Sequence, residues 1–433
     1  MRIGYKILFL FFIHVVCFSQ TTPVDRNLYI EDIKIEGNHK TNPSVILHHL
    51  TFKIGDPLDA ETILNNILIL QQTEFFKDVD IYTKPGSRKG LVIVVVEVVE
   101  YKWPSYRFEG GHSDLNGWYF SPIGFRMNNL FGHGNYLSYN MKFGNRISGN
   151  YLDYKKPDLA QSRMYLGVQL FDETQDFVHY IGEKDTTDAV GSSGIRLKMG
   201  ANKGFFQHTF LGYRLVYYRP QMVTELLPIL EEDYDNKWVA TVSTGLTTDT
   251  RDNPEFPTAG LWGAVTGELA LPWLGSNTLF PKLIFDFRNY NKISDHAVYA
   301  FHIKGGVTGD KAPYYERFYL GGSYSLRGYS FSRLSPPGWG TKLFLLQNEF
   351  RFPLGQPDPH SPGYKHTLVM FYDLGGIWRS REIPQILDIH HSIGLGYRIK
   401  LPIINILRFD IAYPISYSND QDIHFHLSLG QTF

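Results

Sequence analysis

The sequence predicts a mainly β protein, a transmembrane barrel of roughly 16 antiparallel strands preceded by one small α+β domain of order β-α-α-β-β. Three observations carry that expectation. Aromatic residues make up 15% of the 433-residue chain, with 28 Tyr, 31 Phe and 40 Gly, the profile of a strand-rich chain with many turns and an aromatic-lined surface. From about Trp103 onward, apolar and polar side chains alternate in repeated short runs punctuated by Gly, Asn, Asp and Pro, and helical periodicity is absent. The first 19 residues, MRIGYKILFLFFIHVVCFS, read as a secretory signal peptide: Arg2 and Lys6, an apolar run from Ile7 to Phe18, then Ser19.

Charge and cysteine usage narrow the function classes. The 42 basic and 43 acidic residues leave a formal net charge of -1, so no basic field argues for nucleic acid. The single cysteine, Cys17, lies in the signal segment, and the expected mature chain has no disulfide framework. The residues before it, His14, Val15 and Val16, lack the small residue of a lipoprotein acceptor site. No later apolar stretch reaches about 20 residues. An exported chain of this kind is either soluble or a barrel.

Residues 28–101 read as one compact unit. LYIEDIKIEG gives a strand closed by Gly37. Asn42 as N-cap and Pro43 in the first turn open a helix through SVILHHL. A second helix opens at Asp59, with Ile63, Ile67 and Leu70 on one face. TEFFKDVDIYTK then forms a strand, Pro85-Gly86 makes a hairpin, and LVIVVVEVVEY is apolar enough to be central. That leaves VDIYTK, with Val79, Ile81 and Tyr82, as the expected free edge.

Residues 104–433 carry the alternation. In NYLSYNMKFG, Leu137, Tyr139, Met141 and Phe143 oppose Tyr136, Ser138, Asn140 and Lys142. In DIHFHLSLGQTF, Ile423, Phe425, Leu427, Leu429 and Phe433 oppose His424, His426, Ser428, Gly430 and Thr432. A soluble sandwich alternates too. The signal segment, the aromatic excess and about 330 residues without a second compact domain favour a membrane barrel, which must be closed because lipid offers the backbone no hydrogen bonds. Phe433, at the tip of the last alternating strand, fits an interfacial belt residue. His424 and His426 share a face without a third metal ligand. No Ser-His-Asp set, P-loop or Cys cluster emerges, so no catalytic residue, metal or cofactor is expected. The DTRDNP segment, with Asp249, Asp252, Asn253 and Pro254, reads as a structural turn.

The "IEGNHKTNP" and "TEFFKDVDIY" segments resemble a POTRA domain, a periplasmic module. DTRDNPEFPTAG (249–260), ERFYLGGSYSLRGYS (316–330), LLQNEFRFPL (345–354), FYDLGGIW (371–378), HSIGLGYRIKLPI (391–403) and LRFDIAYPI (407–415) resemble the BamA and TamA superfamily of outer-membrane assembly and translocation proteins. The resemblance implies that the loop carrying Arg327, Gly328 and Tyr329 folds into the lumen. There Arg327 is expected to meet acidic residues of the inner wall, with Glu349 and Asp373 in the matching positions. Gln347, Glu349 and Arg351 independently share a face opposite Leu346, Phe350 and Phe352. Asp373 shares its face with Val369 and Phe371, which leaves its direction open. Gly321, Gly322 and Gly328 allow sharp turns near the wall.

The resemblance also implies a weak seam between the first strand (105–111) and the last (422–433). Gly110 and Gly111 weaken pairing there, and Phe433 ends it. The implied function is assistance to client proteins entering or crossing the outer membrane, with the POTRA domain in the periplasm taking clients by strand addition and the seam as exit. A dedicated secretion channel or a lipid-handling barrel for one substrate class is the alternative. The implied partners are the outer-membrane bilayer and unfolded or partly folded clients. Periplasmic assembly partners stay open, because only one POTRA domain is legible.

Overall fold

The computed structural model describes residues 28–433 except 103, 107, 158, 160, 161, 163, 203–206, 224, 226–229, 231, 232, 358–363, 402–404 and 416–421. The signal segment at 1–19 lies outside the described residues. The chain divides after Tyr101 into two compact units.

The first unit runs β1 (Leu28–Glu36), α1 (Pro43–His49), β2 (Pro57–Leu58), α2 (Ala60–Gln72), β3 (Phe76–Pro85) and β4 (Leu91–Glu100), with sheet order β2-β1-β4-β3. Asn42 caps α1 by accepting from the Ser44 N–H, and Asp59 caps α2 by accepting from the Thr62 N–H at 2.7 Å. Both satisfy donors that the helix itself leaves unpaired. The apolar run of β4 occupies the sheet centre, parallel to β1 and antiparallel to β3. Inside α2, Asn66 is buried. It accepts from the Thr51 N–H and donates to the Thr51 hydroxyl and the Thr62 carbonyl, tying the connection between the helices to α2. Strand β2 adds an element to the expected β-α-α-β-β order; two residues are too few to show periodicity.

In the second unit β5 (Ser105–Tyr106) and β6 (Glu109–Ser113) are two pieces of the first barrel strand. There follow β7 (Gly117–Leu130), β8 (Asn135–Gly144), β9 (Ile147–Lys156), β10 (Met164–Ile181), β11 (Lys184–Asn202), β12 (Gln207–Pro220), β13 (Lys237–Asp249), β14 (Gly260–Ala270) and β15 (Phe280–Ser294). The remainder are β16 (Ala297–Thr308), β17 (Lys342–Pro357), β18 (Tyr364–Trp378), β19 (His390–Leu401), β20 (Asn405–Ile415) and β21 (His424–Leu429). The barrel closes where β21 meets the first strand.

Alternation sorts the two faces. On β18, Leu368 and Met370 are exposed outward while Val369, Phe371 and Asp373 are buried inward, and on β21 Phe425 and Leu427 face out. No helix among the described residues is long and apolar enough to cross a membrane. The apolar outer band is what strands present to lipid.

Between β16 and β17 the segment 309–341 folds inward. Tyr314, Tyr315 and Trp339 pack with Phe177, Tyr218 and Phe280 of the wall. Phe318, Leu320, Leu326 and Tyr329 pack with Leu343 and Leu345. The lumen is therefore built largely as a core, with cavities of about 630 and 410 Å³ left beside the loop.

Two expectations about the strand ends change. The first strand extends to Ser113, and the last ends at Leu429. Gly430 takes φ +80°, a left-handed turn that glycine adopts freely and that breaks the alternation. Phe433 therefore leaves the outward set and is buried against Tyr290 and Ala300, its ring 5.0 Å from that of His302 and the Arg351 guanidinium 5.3 Å above it. It lies inside the barrel, not in a lipid-facing belt.

Candidate functional site

The loop 309–341 places Arg327 at the wall with no exposed surface. Its guanidinium donates in a two-pronged fork to Asp373, from Nε to Oδ2 at 2.7 Å and from Nη2 to Oδ1 at 2.6 Å. Nη1 donates to Glu349 Oε1 at 2.6 Å and to the Thr432 hydroxyl at 3.3 Å. The planar fork matches a carboxylate and keeps its charge when buried. Its flat face lies 3.4 Å from the Phe371 ring centroid, a cation–π contact. That settles the direction of Asp373: Phe371 shares its inward face because it is the platform under the guanidinium.

The surrounding wall continues the charge pattern. Arg351 donates to Glu349 at 2.8 Å, Arg398 to Asp410 at 2.6 Å, and Arg408 lies 3.4 Å from Asp410. A buried cluster in which cations and carboxylates alternate sets each charge beside an opposite one, which isolated buried ions could not manage.

The glycines act by two routes. Gly322 has φ +123°, and a Cβ there would lie 2.5 Å from the Asp114 carboxyl carbon. Gly328 needs no special φ. A Cβ on it would sit 2.6 Å from Ser392 Cβ and 3.0 Å from the Pro414 nitrogen, so the missing side chain lets the loop touch β19 and β20. Tyr329 fills the apolar cluster beside it and meets His390 edge-on.

A second fastening escaped the sequence reading. Here the polarity is reversed, with the carboxylate on the loop and the cations on the wall. Glu316 accepts from Arg214 at 2.6 Å and from the Tyr218 hydroxyl at 2.7 Å, and Lys282 lies 3.7 Å away. Arg214 also binds Glu268 at 2.7 Å. A third uses the Tyr314 hydroxyl, which donates to Asp188. The other Asp188 oxygen meets His179 Nε2 at 3.1 Å, and His179 Nδ1 accepts from the Gly338 N–H at 3.3 Å. The sequence signal is a Glu next to the aromatic residues Tyr314 and Tyr315, with partners 98 and 102 positions away. Asp249, Asp252 and Asn253 make the expected turn, Asp252 accepting from the backbone N–H groups of Asn253, Thr258 and Ala259.

At the seam the closing strands are the shortest of the barrel among the described residues: 2 and 5 residues for β5 and β6, and 6 for β21. Gly110 is roomy, with the nearest atom 3.5 Å from an added Cβ, whereas one on Gly111 would lie 2.4 Å from the Tyr119 hydroxyl. Gly111 thus accommodates the Tyr119 ring across the strand pair. His426 does not join a metal site; its Nε2 lies 2.7 Å from the Arg327 carbonyl oxygen. No cluster of metal-ligating residues occurs among the described residues.

In the first unit, β3 is the long open edge; the other edge, β2, is two residues and contains Pro57. The Gly86 N–H donates to the Leu91 carbonyl at 3.0 Å, next to the Pro85–Val92 rung. In an antiparallel ladder that assigns Tyr82 and Lys84 to hydrogen-bonded pairs with β4 and turns the backbone of Val79, Ile81 and Thr83 outward. The Val79 and Ile81 side chains are buried in the core. Their exposed feature is backbone. Tyr82 turns its backbone to Val95 and its ring lies 5.5 Å from Lys84 Nζ.

Residues 28–101 match the POTRA family described as surface antigen variable number repeat, and residues 129–433 match the Omp85 superfamily domain. The outer membrane protein assembly factor BamA of Nitratidesulfovibrio vulgaris is 24% identical over 438 residues, covering 97% of this chain, which spans only 53% of that relative's length. BamA from Haemophilus ducreyi lacking POTRA domains 1–3 superposes with TM-score 0.77 at 19% identity, over 93% of this chain and 84% of that one. CdiB from Acinetobacter baumannii gives TM-score 0.59 at 16% identity, over 94% and 74%. Because the Omp85 match spans residues 129–433, more than half of the chain and inclusive of the latch loop, its wall partners and the last strand, this outer-membrane chain, with its POTRA domain on the periplasmic side, belongs to the Omp85 superfamily.

Proposed function

We propose that the protein helps client proteins insert into the outer membrane, without enzymatic chemistry of its own. The observation that carries this reading is the contrast between lumen and seam: the lumen is filled by a loop latched to several walls, while the barrel closes on its shortest strands. A strand edge opened at that closure is a hydrogen-bonding template, normally a liability and here a working surface. The assembly-factor names of the relatives support the same role. The outward backbone of Val79, Ile81 and Thr83 supports capture by strand addition, with main-chain bonds giving affinity independent of client sequence.

Photo-crosslinkers placed singly at Gly110, Phe425 and Leu427 are expected to trap nascent barrel proteins in cells, whereas crosslinkers facing the two cavities, at Lys304 and Lys142, do not. Client adducts confined to the lumenal positions would overturn insertion at the seam and favour a dedicated channel.

A further inference from the structure

We infer that Tyr324 is an internal staple of the seam: from the lumenal loop its hydroxyl bonds the Leu429 carbonyl, the acceptor that a strand pairing with β21 along its whole length meets at its end. The inference rests on the seam reading proposed above and adds to it what holds the seam shut.

The direction of the Leu429 carbonyl follows from the ladder. Leu429 stands opposite Leu407, and the Gly430 N–H donates to the Ile406 carbonyl at 2.8 Å. In an antiparallel pair this makes Leu407–Leu429 a non-hydrogen-bonded rung, so the Leu429 N–H and C=O point away from β20 and toward the first strand. By the same alternation Phe425 and Leu427 also turn their backbone to the seam. The Tyr324 hydroxyl donates to that Leu429 carbonyl. One lone pair of that acceptor is thus already engaged from inside.

The loop tip also grips the other side of the seam. The Tyr324 ring stacks on His112 of β6, with centroids 5.8 Å apart and planes at 28°. Its backbone N–H donates to Asp114 Oδ2 at 2.8 Å and the Ser323 hydroxyl to Asp114 Oδ1 at 2.9 Å, in the turn that follows β6. From the far side, Arg408 of β20 donates to the Ser323 carbonyl at 2.7 Å and lies 4.2 Å over the Tyr324 ring. Two adjacent loop residues therefore hold both strands that meet at the closure. A client strand that draws β21 away from the loop exchanges the Tyr324 hydroxyl for its own N–H, one hydrogen bond for another. Tyr324 acts here as a positioning residue, through β21 and β6.

The test is hydrogen–deuterium exchange on the full-length protein in lipid nanodiscs. Tyr324→Phe keeps the ring and removes only the hydroxyl. It is expected to speed exchange in segments 424–429 and 109–113 about five- to tenfold while leaving the β10–β11 ladder and segment 371–375 at parental rates. Tyr324→Ala, which also removes the stacking on His112, is expected to exceed it. Parental exchange at both seam segments in Tyr324→Phe overturns the staple, as does acceleration spread evenly over all strands. In cells, Tyr324→Phe should raise the yield of client crosslinks at position 427. Faster seam exchange with no client adduct in parent or variant keeps the staple and rejects the client-insertion reading instead.

Discussion

Arg327 and Asp373 form a committed pair, because among the described residues the hydrogen-bond partners of Asp373 all belong to Arg327. Glu349 is differently placed, keeping Arg351 at 2.8 Å whatever happens to the loop. In Arg327→Ala the stranded charge is therefore at Asp373. The expected loss is about 3–5 kcal/mol, the usual range for breaking a buried pair from one side. Adding Asp373→Asn should recover part of it and adding Glu349→Gln little, read as the midpoint of heat-modified gel mobility. Equal rescue by both would show that the cluster shares the charge evenly. Glu100, in the POTRA domain, offers a pH-dependent counterpart. Burial opposes its ionisation, but hydrogen bonds from the Thr41 hydroxyl and from the Thr41 and Lys40 N–H groups outweigh it and hold the carboxyl below the usual carboxylate range. A depressed folded-state pKa contributes stability above the unfolded value, lost as pH falls through the folded one. Glu100→Gln should therefore destabilise the domain at pH 7 and make little difference near pH 3 in denaturant titrations.

At the scale of elements, the β3 edge is open in a particular phase. Thr83 is exposed and its N–H faces outward, so Thr83→Pro removes a donor from the edge without cutting a bond to β4, the one situation in which a strand tolerates proline well. Client capture measured by crosslinking to the POTRA domain is expected to fall severalfold while domain stability stays within about 1 kcal/mol of the parent. Lys84→Pro, whose N–H belongs to the ladder, should unfold the edge and serves as the contrast. Capture unaffected by Thr83→Pro would rule out strand addition at β3. The caps at Asn42 and Asp59 and the central place of β4 were legible because local chemistry decides them: a side-chain oxygen two or three residues from a bare N–H, and an apolar, β-branched run from Val92 to Val96. The outward phase of β3 was not, since it depends on which rung the Pro85–Gly86 hairpin makes hydrogen-bonded. Between 150 and 240 only alternation was legible, and the 18- and 19-residue strands β10 and β11 pair there along their length.

At the scale of the whole molecule, one loop ties the barrel from within. Its residues reach β11 through Tyr314, β12 through Glu316, β18 through Arg327 and β21 through Tyr324. The wall so tied is shortest at β5, β6 and β21, where Tyr324 is the loop's contact with the last strand. By itself, the sequence determined that the chain is an α+β domain followed by a barrel, and that Arg327 sits in a loop with Glu349 on an inward face. The elements and the inward face of Glu349 follow from periodicities of two and 3.6 residues, which each strand or helix imposes on its own residues; the barrel needed the signal segment and the aromatic excess as well, and the loop the family resemblance. Only the tertiary structure decided that Asp373 points inward with Phe371 beneath the guanidinium, that Glu316 makes a latch of opposite polarity, that Phe433 turns into the lumen, and that Tyr324 reaches the Leu429 carbonyl. Each depends on groups brought together across the barrel, and no local pattern records a partner 98 or 105 residues away.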